Sequence, residues 1–167
     1  MSLIGMFDSG VGGLTVLHAV EKQLPNHNFI YFGDTGRCPY GPKGDATIIR
    51  YSIENSIFLL EHKVELIIVA CHTATSLALD KLQSTFHVPI IGVVEPSVEK
   101  AATITTHGRI GVIGTRATIQ SGIYQKKLKE KICNAHIAAC ACPLFVPLVE
   151  DDFPDEKVVA QVVAHYL

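Results

Sequence analysis

Tryptophan is absent from the 167 residues, aromatic residues make up only 7%, and Lys+Arg (14) fall short of Asp+Glu (16), for a net charge of −2. Nucleic-acid binding draws on a positive field and on aromatic stacking surfaces, so nucleic acid is not an expected partner. No apolar run approaches the roughly 18 residues that cross a bilayer. The amino terminus has neither the basic start nor the long apolar stretch of a signal peptide. No membrane is expected, and the cytoplasm is the expected location. Cysteine is sparse and scattered: Cys38, Cys71, Cys133, Cys140 and Cys142. An odd number with no CxxC spacing excludes a disulfide framework and a zinc ribbon, so no metal is expected. In a reducing compartment such thiols stay free, and one can be reactive.

What is present is a core and a rhythm. Hydrophobic residues are 48% and charged residues 18%, enough apolar material for a packed domain. Short apolar runs predict buried parallel strands over 3–7, 28–32, 66–70, 90–94, 110–113 and 137–141. Helical patterns fall between and after them, over 13–23, 46–62, 74–86, 97–105, 117–132 and 156–166. In the second of these, Ile49, Ile53, Ile57 and Leu60 form an apolar stripe expected to face a sheet, and Asp45 is placed to cap it. Regular alternation means an α/β fold, a parallel sheet in a three-layer α/β/α arrangement with right-handed crossovers. No Gly-Ser or Pro-rich linker divides the chain. The expected division is near Glu95–Pro96, giving a first domain over 1–96 and a second over 97–167. A weak internal echo supports two related halves: Ile4-Gly5-Met6-Phe7-Asp8-Ser9 against Ile110-Gly111-Val112-Ile113-Gly114-Thr115, though such strings also recur by chance.

Open parallel sheets bind ligands at the carboxyl ends of their strands, so the loops there carry the chemistry. Asp8-Ser9-Gly10-Val11-Gly12-Gly13 offers tight turns and free helix-start N–H groups, suited to a phosphate or carboxylate. It lacks the Gly-Lys-Ser/Thr of a Walker loop and the spacing of the dinucleotide fingerprint. Asp8 and Ser9 as plain helix caps is the alternative. Gly33–Pro42 reads as a shaped loop in which Pro39 and Gly41 hold Tyr40, or as a turn with a solvent-facing Tyr40 and a surface Arg37. In Val69-Ala70-Cys71-His72-Thr73, Cys71 leaves a buried strand where a helix begins. A helix start or a neighbouring cation lowers a thiol pKa, which makes a thiolate available at neutral pH, while inert core filling is the bland alternative. Thr115 and Thr118, three apart across another helix start, can point the same way or act as a cap and a core residue. Cys140 and Cys142, on one strand face, and Cys133 read as core.

Together these loops resemble the cofactor-independent glutamate racemases of the aspartate/glutamate racemase superfamily. The matching stretches are Phe7–Leu14, Tyr31–Thr35, Arg37 with Pro39-Tyr40-Gly41, Val69-Ala70-Cys71 with Thr73-Ala74, Gly92–Pro96, Arg109–Thr118 and Ala141–Glu150. The resemblance implies interconversion of L- and D-glutamate, supplying D-glutamate for peptidoglycan, by two cysteines on opposite faces of the α-carbon. It implies no pyridoxal phosphate and no metal. On the matching positions, Cys71 would be one of the pair, assisted by Asp8. Ser9, Pro39, Tyr40, Gly41, Thr73, Thr115 and Thr118 would line the substrate site, with Glu150 near the second acid/base group. Glutamate is then the expected small-molecule partner, and a homodimer is allowed.

Two departures stand out. His72 occupies a position where the family has a substrate-binding Asn, so it substitutes as a donor, tunes Cys71 or alters substrate preference. The family's second catalytic cysteine, in a Gly-Cys-Thr-His stretch, has no counterpart. The step from Asp8 to Cys71, taken again from Thr115, lands past Leu167. The expectation is therefore a fragment, its second domain and the closing part of its first incomplete, inactive by itself and prone to associate through exposed core. A racemase of aspartate or another acidic amino acid, and a non-catalytic carboxylate-binding fragment, are the competing readings.

Overall fold

The computed structural model describes residues 2–167, which divide into two compact units, one running to Val94 and the other spanning Glu95–Leu167. The first unit alternates β1 (Leu3–Asp8), α1 (Leu14–Gln23), β2 (Asn28–Gly33), α2 (Asp45–Glu61), β3 (Leu66–Val69), α3 (His72–Thr85) and β4 (Ile90–Gly92). Its four strands lie parallel in the order β2-β1-β3-β4. Side chains alternate across a strand. Ile4 and Met6 of β1, with Ile68 and Ala70, therefore meet Val16, Leu17 and Val20 of α1 on one face. On the other face a Cβ on Gly5 would lie 3.1 Å from Val64 and 3.2 Å from Leu59 of α2. Helices thus cover both faces of a parallel sheet, the three-layer arrangement that the alternating pattern implies.

The second unit holds α4 (Val94–Ile104), which begins at the boundary, β5 (Arg109–Gly114), α5 (Arg116–Gln120), α6 (Ile123–Lys131), β6 (His136–Ala141), α7 (Phe145–Glu150) and α8 (Glu156–Tyr166). β5 and β6 pair in parallel from Arg109↔His136 to Gly114↔Ala141. Lys127 pairs with Glu95, and Lys131 with Glu99 at 3.2 Å, tying α6 to α4.

Several local expectations give way. The buried side of α2 is Ile48, Ser52, Asn55, Ser56 and Leu59, whereas Ile57 of the expected stripe is exposed. Small hydroxyl residues suit a helix packed against α3 as well as the sheet. Ser52 and Ser56 satisfy their hydroxyls on the carbonyls of Ile48 and Ser52, each at 2.8 Å. Asp45 does not cap α2; Gly44 is the cap, and Asp45 sits in the first turn, where an acidic charge still faces the dipole favourably. The helix expected over 117–132 breaks at Gly122, whose φ of +68° is left-handed. β4 stops at Gly92, short of Val94, because α4 begins there. α7, with Pro147 inside it, has no apolar periodicity to reveal it. Cys133 is exposed rather than core, and Cys142 lies buried just beyond β6.

Candidate active site

The chain reaches the two central strands by excursions in opposite directions. β1 leads through α1 to β2 at one side, and α2 then carries the chain back past β1 to β3. Such a reversal of strand order opens a crevice at the carboxyl ends of the two strands. Asp8 and Ser9 end β1, and Cys71 follows β3.

Asp8 is 7% exposed, and its Oδ2 accepts the amides of Gly10 at 3.0 Å and Gly13 at 3.1 Å. That turn requires glycine at Gly13, where a Cβ would fall 2.6 Å from the Asp8 Cβ and 3.0 Å from the Ala70 Cβ. Tyr31 supports the loop by donating its hydroxyl to the Gly10 carbonyl at 3.0 Å. The second carboxylate oxygen of Asp8 accepts no hydrogen bond from the described residues.

Cys71 is itself the N-cap of α3, its sulfur accepting the Ala74 amide at 3.4 Å. Its thiol also donates to Ser9 Oγ at 3.5 Å. The residue is buried, 5% exposed, and the sulfur meets polar partners in Ser9 and Ala74. Burial and the nearby Asp8 charge push its pKa up, outweighing the hydrogen bonds from Ser9 and Ala74. Those two causes work against the thiolate expected at neutral pH. A helix start stabilises an anion only partly when a carboxylate faces it from the neighbouring strand. Next to it, His72 opens α3, and desolvation of its ring lowers its pKa, against the Asp8 charge, which raises it. Thr73 is buried in the same turn.

The loop after β2 is not the solvent-facing turn of the blander reading of its sequence. Tyr40 is 1% exposed, so it faces no solvent, and its hydroxyl is held between Asp34 and Asn55. Burial and the Asp34 carboxylate raise its pKa strongly, which keeps that hydroxyl protonated. Arg37 is no loose surface charge: its Nε meets both Asp34 oxygens at 2.9 and 2.8 Å, another nitrogen reaches Asn55 Oδ1 at 2.7 Å, and it pairs with Glu54. Asn55 and Glu54 of α2 escaped the sequence reading, and Asp34 entered it only as part of the loop. Polar residues on the buried side of a helix were the available signal, masked by the neighbouring isoleucine stripe. Pro39 is exposed, Gly41 is buried, and the Cys38–Pro39 peptide is cis. The first unit thus brings Asp8, Ser9, Cys71, His72 and Thr73 to one crevice. The loop carrying Pro39, Tyr40 and Gly41 starts beside it, with the Asp34 amide on the Asp8 carbonyl at 2.9 Å.

In the second unit, Thr115 caps α5 by accepting the Thr118 amide at 3.2 Å, and the two hydroxyls meet at 2.9 Å. Both expected roles, capping and a shared direction, hold there together. Glu150 ends α7 exposed. Among the described residues, no cluster of side chains suits a metal ion, and no helix is long and apolar enough to cross a membrane.

Residues 14–165 match the family described as Asp/Glu/Hydantoin racemase. The chain belongs to that family. Among curated relatives of this racemase-family chain, the glutamate racemase of Geobacter metallireducens is 48% identical over 98% of the chain and 61% of its own length. That of Aquifex pyrophilus is 49% identical over 98% and 64%. The crystal structure of a glutamate racemase from Bacillus anthracis superposes with a TM-score of 0.92 at 41% identity, covering 97% of this chain and 61% of that one. A Francisella tularensis glutamate racemase solved with D-glutamate gives 0.91 at 37% identity, covering 99% and 62%. The chain spans about three fifths of the length of the curated relatives it matches.

Proposed function

We propose that this chain carries the glutamate-binding crevice and one of the two acid/base thiols of a cofactor-independent glutamate racemase. The observation that supports it most is the placement of Cys71, capping α3 at the switch point of the sheet with Ser9 and Asp8 around its sulfur. Likeness to proteins named glutamate racemase points the same way.

The chemistry follows from those groups. An α-ammonium beside the unpartnered Asp8 oxygen would neutralise the charge that helps hold the Cys71 pKa up, so substrate itself favours the thiolate. The thiolate takes the α-proton and becomes a thiol, leaving a carbanion that donors around the α-carboxylate stabilise. Ser9 and Thr73, at helix starts, are the donors proposed for it, with Pro39, Tyr40, Gly41 and His72 lining the same subsite. Thr115 and Thr118 are proposed as hydroxyl donors of the second unit, and Glu150 as its acidic group. For the opposite enantiomer Cys71 acts as the acid, the form that its raised pKa favours. A positioned general base contributes roughly 10²–10⁴ in rate. Inversion needs a second acid/base group on the other face. Cys38, Cys133, Cys140 and Cys142 have no comparable helix-cap setting, so residues 1–167 alone are expected to exchange an α-proton without racemising. Cytoplasmic production of D-glutamate for peptidoglycan is the role proposed for the activity, and glutamate its small-molecule partner.

The test is α-proton exchange in D₂O, followed by proton NMR for L- and D-glutamate separately. Exchange into one enantiomer that disappears in Cys71→Ala is expected. Exchange that survives the substitution removes Cys71 from the mechanism. His72 favours one second reading, a racemase of aspartate or another acidic amino acid; parallel incubation with aspartate decides it.

A further inference from the structure

A closed ring of hydrogen bonds joins four side chains outside the thiol chemistry. Arg37 bridges Asp34 and Asn55, Asn55 donates to the Tyr40 hydroxyl at 3.0 Å, and Tyr40 donates back to Asp34. Every member except Arg37 is almost wholly buried: Asp34 is 5% exposed, Tyr40 1% and Asn55 1%. The Arg37 guanidinium also stacks on the Tyr51 ring of α2, 4.3 Å from its centroid, and pairs with Glu54. A planar fork can serve three partners and an aromatic face at once, which an ammonium cannot. The loop after β2 is thus fastened to α2 through one cation. Meanwhile the backbone amides of Tyr40 and Gly41, on the same loop, donate to no partner among the described residues. Buried loops rarely leave adjacent N–H groups unsatisfied unless something external takes them. The tyrosine side chain cannot supply that contact, since both its neighbours already occupy the hydroxyl.

We propose that Arg37 is a positioning residue: through Asp34 and Asn55 it fixes the Tyr40 side chain, so that the Tyr40 and Gly41 amides are held ready for a carboxylate of an amino-dicarboxylate ligand. The ligand class rests on the racemase reading above; the ordering of the loop does not. Tyr40 is then an anchor whose phenol never touches substrate, and Asn55 and Asp34 matter only through it.

The experiment uses the ¹⁵N-labelled chain, Arg37→Met, Arg37→Lys and, as a control, Arg50→Met. Arg50 is an exposed cation near Glu54, at 3.9 Å, and lies outside the ring. Two quantities are read: the Tyr40 and Gly41 amide resonances with their exchange rates, and the glutamate dissociation constant from chemical-shift titration. Arg37→Met should broaden or shift both amides, speed their exchange and weaken glutamate by about tenfold, with β1 and β3 resonances unchanged. Methylguanidinium, which refills the fork, should restore part of the affinity; a merely structural role would not respond to it. Arg50→Met should leave both quantities alone. If Arg37→Met unfolds the first unit, Arg37→Lys carries the test, because it keeps a cation at Asp34 but cannot span to Asn55. Unchanged Tyr40 and Gly41 amides in the folded variant overturn the proposal. Loosened amides with unchanged glutamate affinity overturn the ligand half. Absence of glutamate binding by the unsubstituted chain overturns the racemase reading, and the amides alone then decide whether Arg37 orders the loop.

Discussion

β1 and β5 share a weak echo in sequence, yet one is buried and the other is only half-covered. Ile4-Gly5-Met6-Phe7 and Ile110-Gly111-Val112-Ile113 carry the same pattern, and both form parallel strands. Phe7 is 0% exposed and Ile113 is 52%. Among the described residues, β1 has a strand on each side and a helix layer on each face, whereas β5 pairs with β6 on one side and packs against α5. As wholes the units divide less sharply: the first buries Ile4, Met6, Phe7, Ile48, Leu59 and Ile67 but exposes Ile57 and Ile91, while the second buries Val98 and Leu128 but leaves Ile104, Ile113, Val149 and Leu167 at the surface. A hydrophobic strand pattern therefore says that burial is available, and only its neighbours make it happen.

The comparison breaks most sharply by truncation. Phe7→Ala should cost about 3–5 kcal/mol in urea denaturation, whereas Ile113→Ala should stay within about 0.5 kcal/mol. Equal losses at the two positions would mean that β5 is buried in solution and the contrast is lost. Next come the matched glycines. A Cβ on Gly5 meets Val64 and Leu59 at 3.1 and 3.2 Å, while nothing lies within 4 Å of one on Gly111. Gly5→Ala should destabilise by about 1–3 kcal/mol. Gly111→Ala should gain about 0.5–1 kcal/mol from the lower entropy of the unfolded chain. Thermal midpoints of the two variants check the opposite signs.

Smaller effects separate the thiols. Exposed Cys133 should be alkylated by iodoacetamide well before Cys71 at pH 7, because burial and Asp8 keep Cys71 protonated. Asp8→Asn removes one of those two causes and should speed Cys71 alkylation, read by mass spectrometry. The raised pKa has a consequence for stability as well. A group that holds its proton more tightly when folded stabilises the fold below its unfolded pKa, near 8.5 for a thiol, and loses that contribution as pH rises through the folded value. The unfolding midpoint should therefore decline in alkali, and Cys71→Ala should flatten that decline.

Legibility followed the range of the interactions involved. Six strands and the helices between them were visible because apolar periodicity is local. The crevice residues Asp8, Ser9, Cys71 and Thr73 were visible because parallel strands place chemistry at their carboxyl ends. The Asp34–Arg37–Tyr40–Asn55 ring was not, since its members come from a loop and a helix that meet only in the folded unit. The buried side of α2 was misread for the same reason: Ser52, Asn55 and Ser56 look solvent-facing until α3 and Tyr40 are beside them. Nor could local sequence weigh burial and a facing carboxylate against a helix start in setting the state of Cys71.

By itself, the order of residues determined the alternation of strand and helix, the parallel layering, and which loops stand at the working ends of the strands, because each follows from short-range pattern and backbone chirality. Tertiary structure alone decided which of two similar strands is buried, which polar side chains close a ring, and that burial and Asp8 push the Cys71 pKa up. Those outcomes depend on solvent exclusion and on charges brought close by folding, quantities that do not exist along an extended chain.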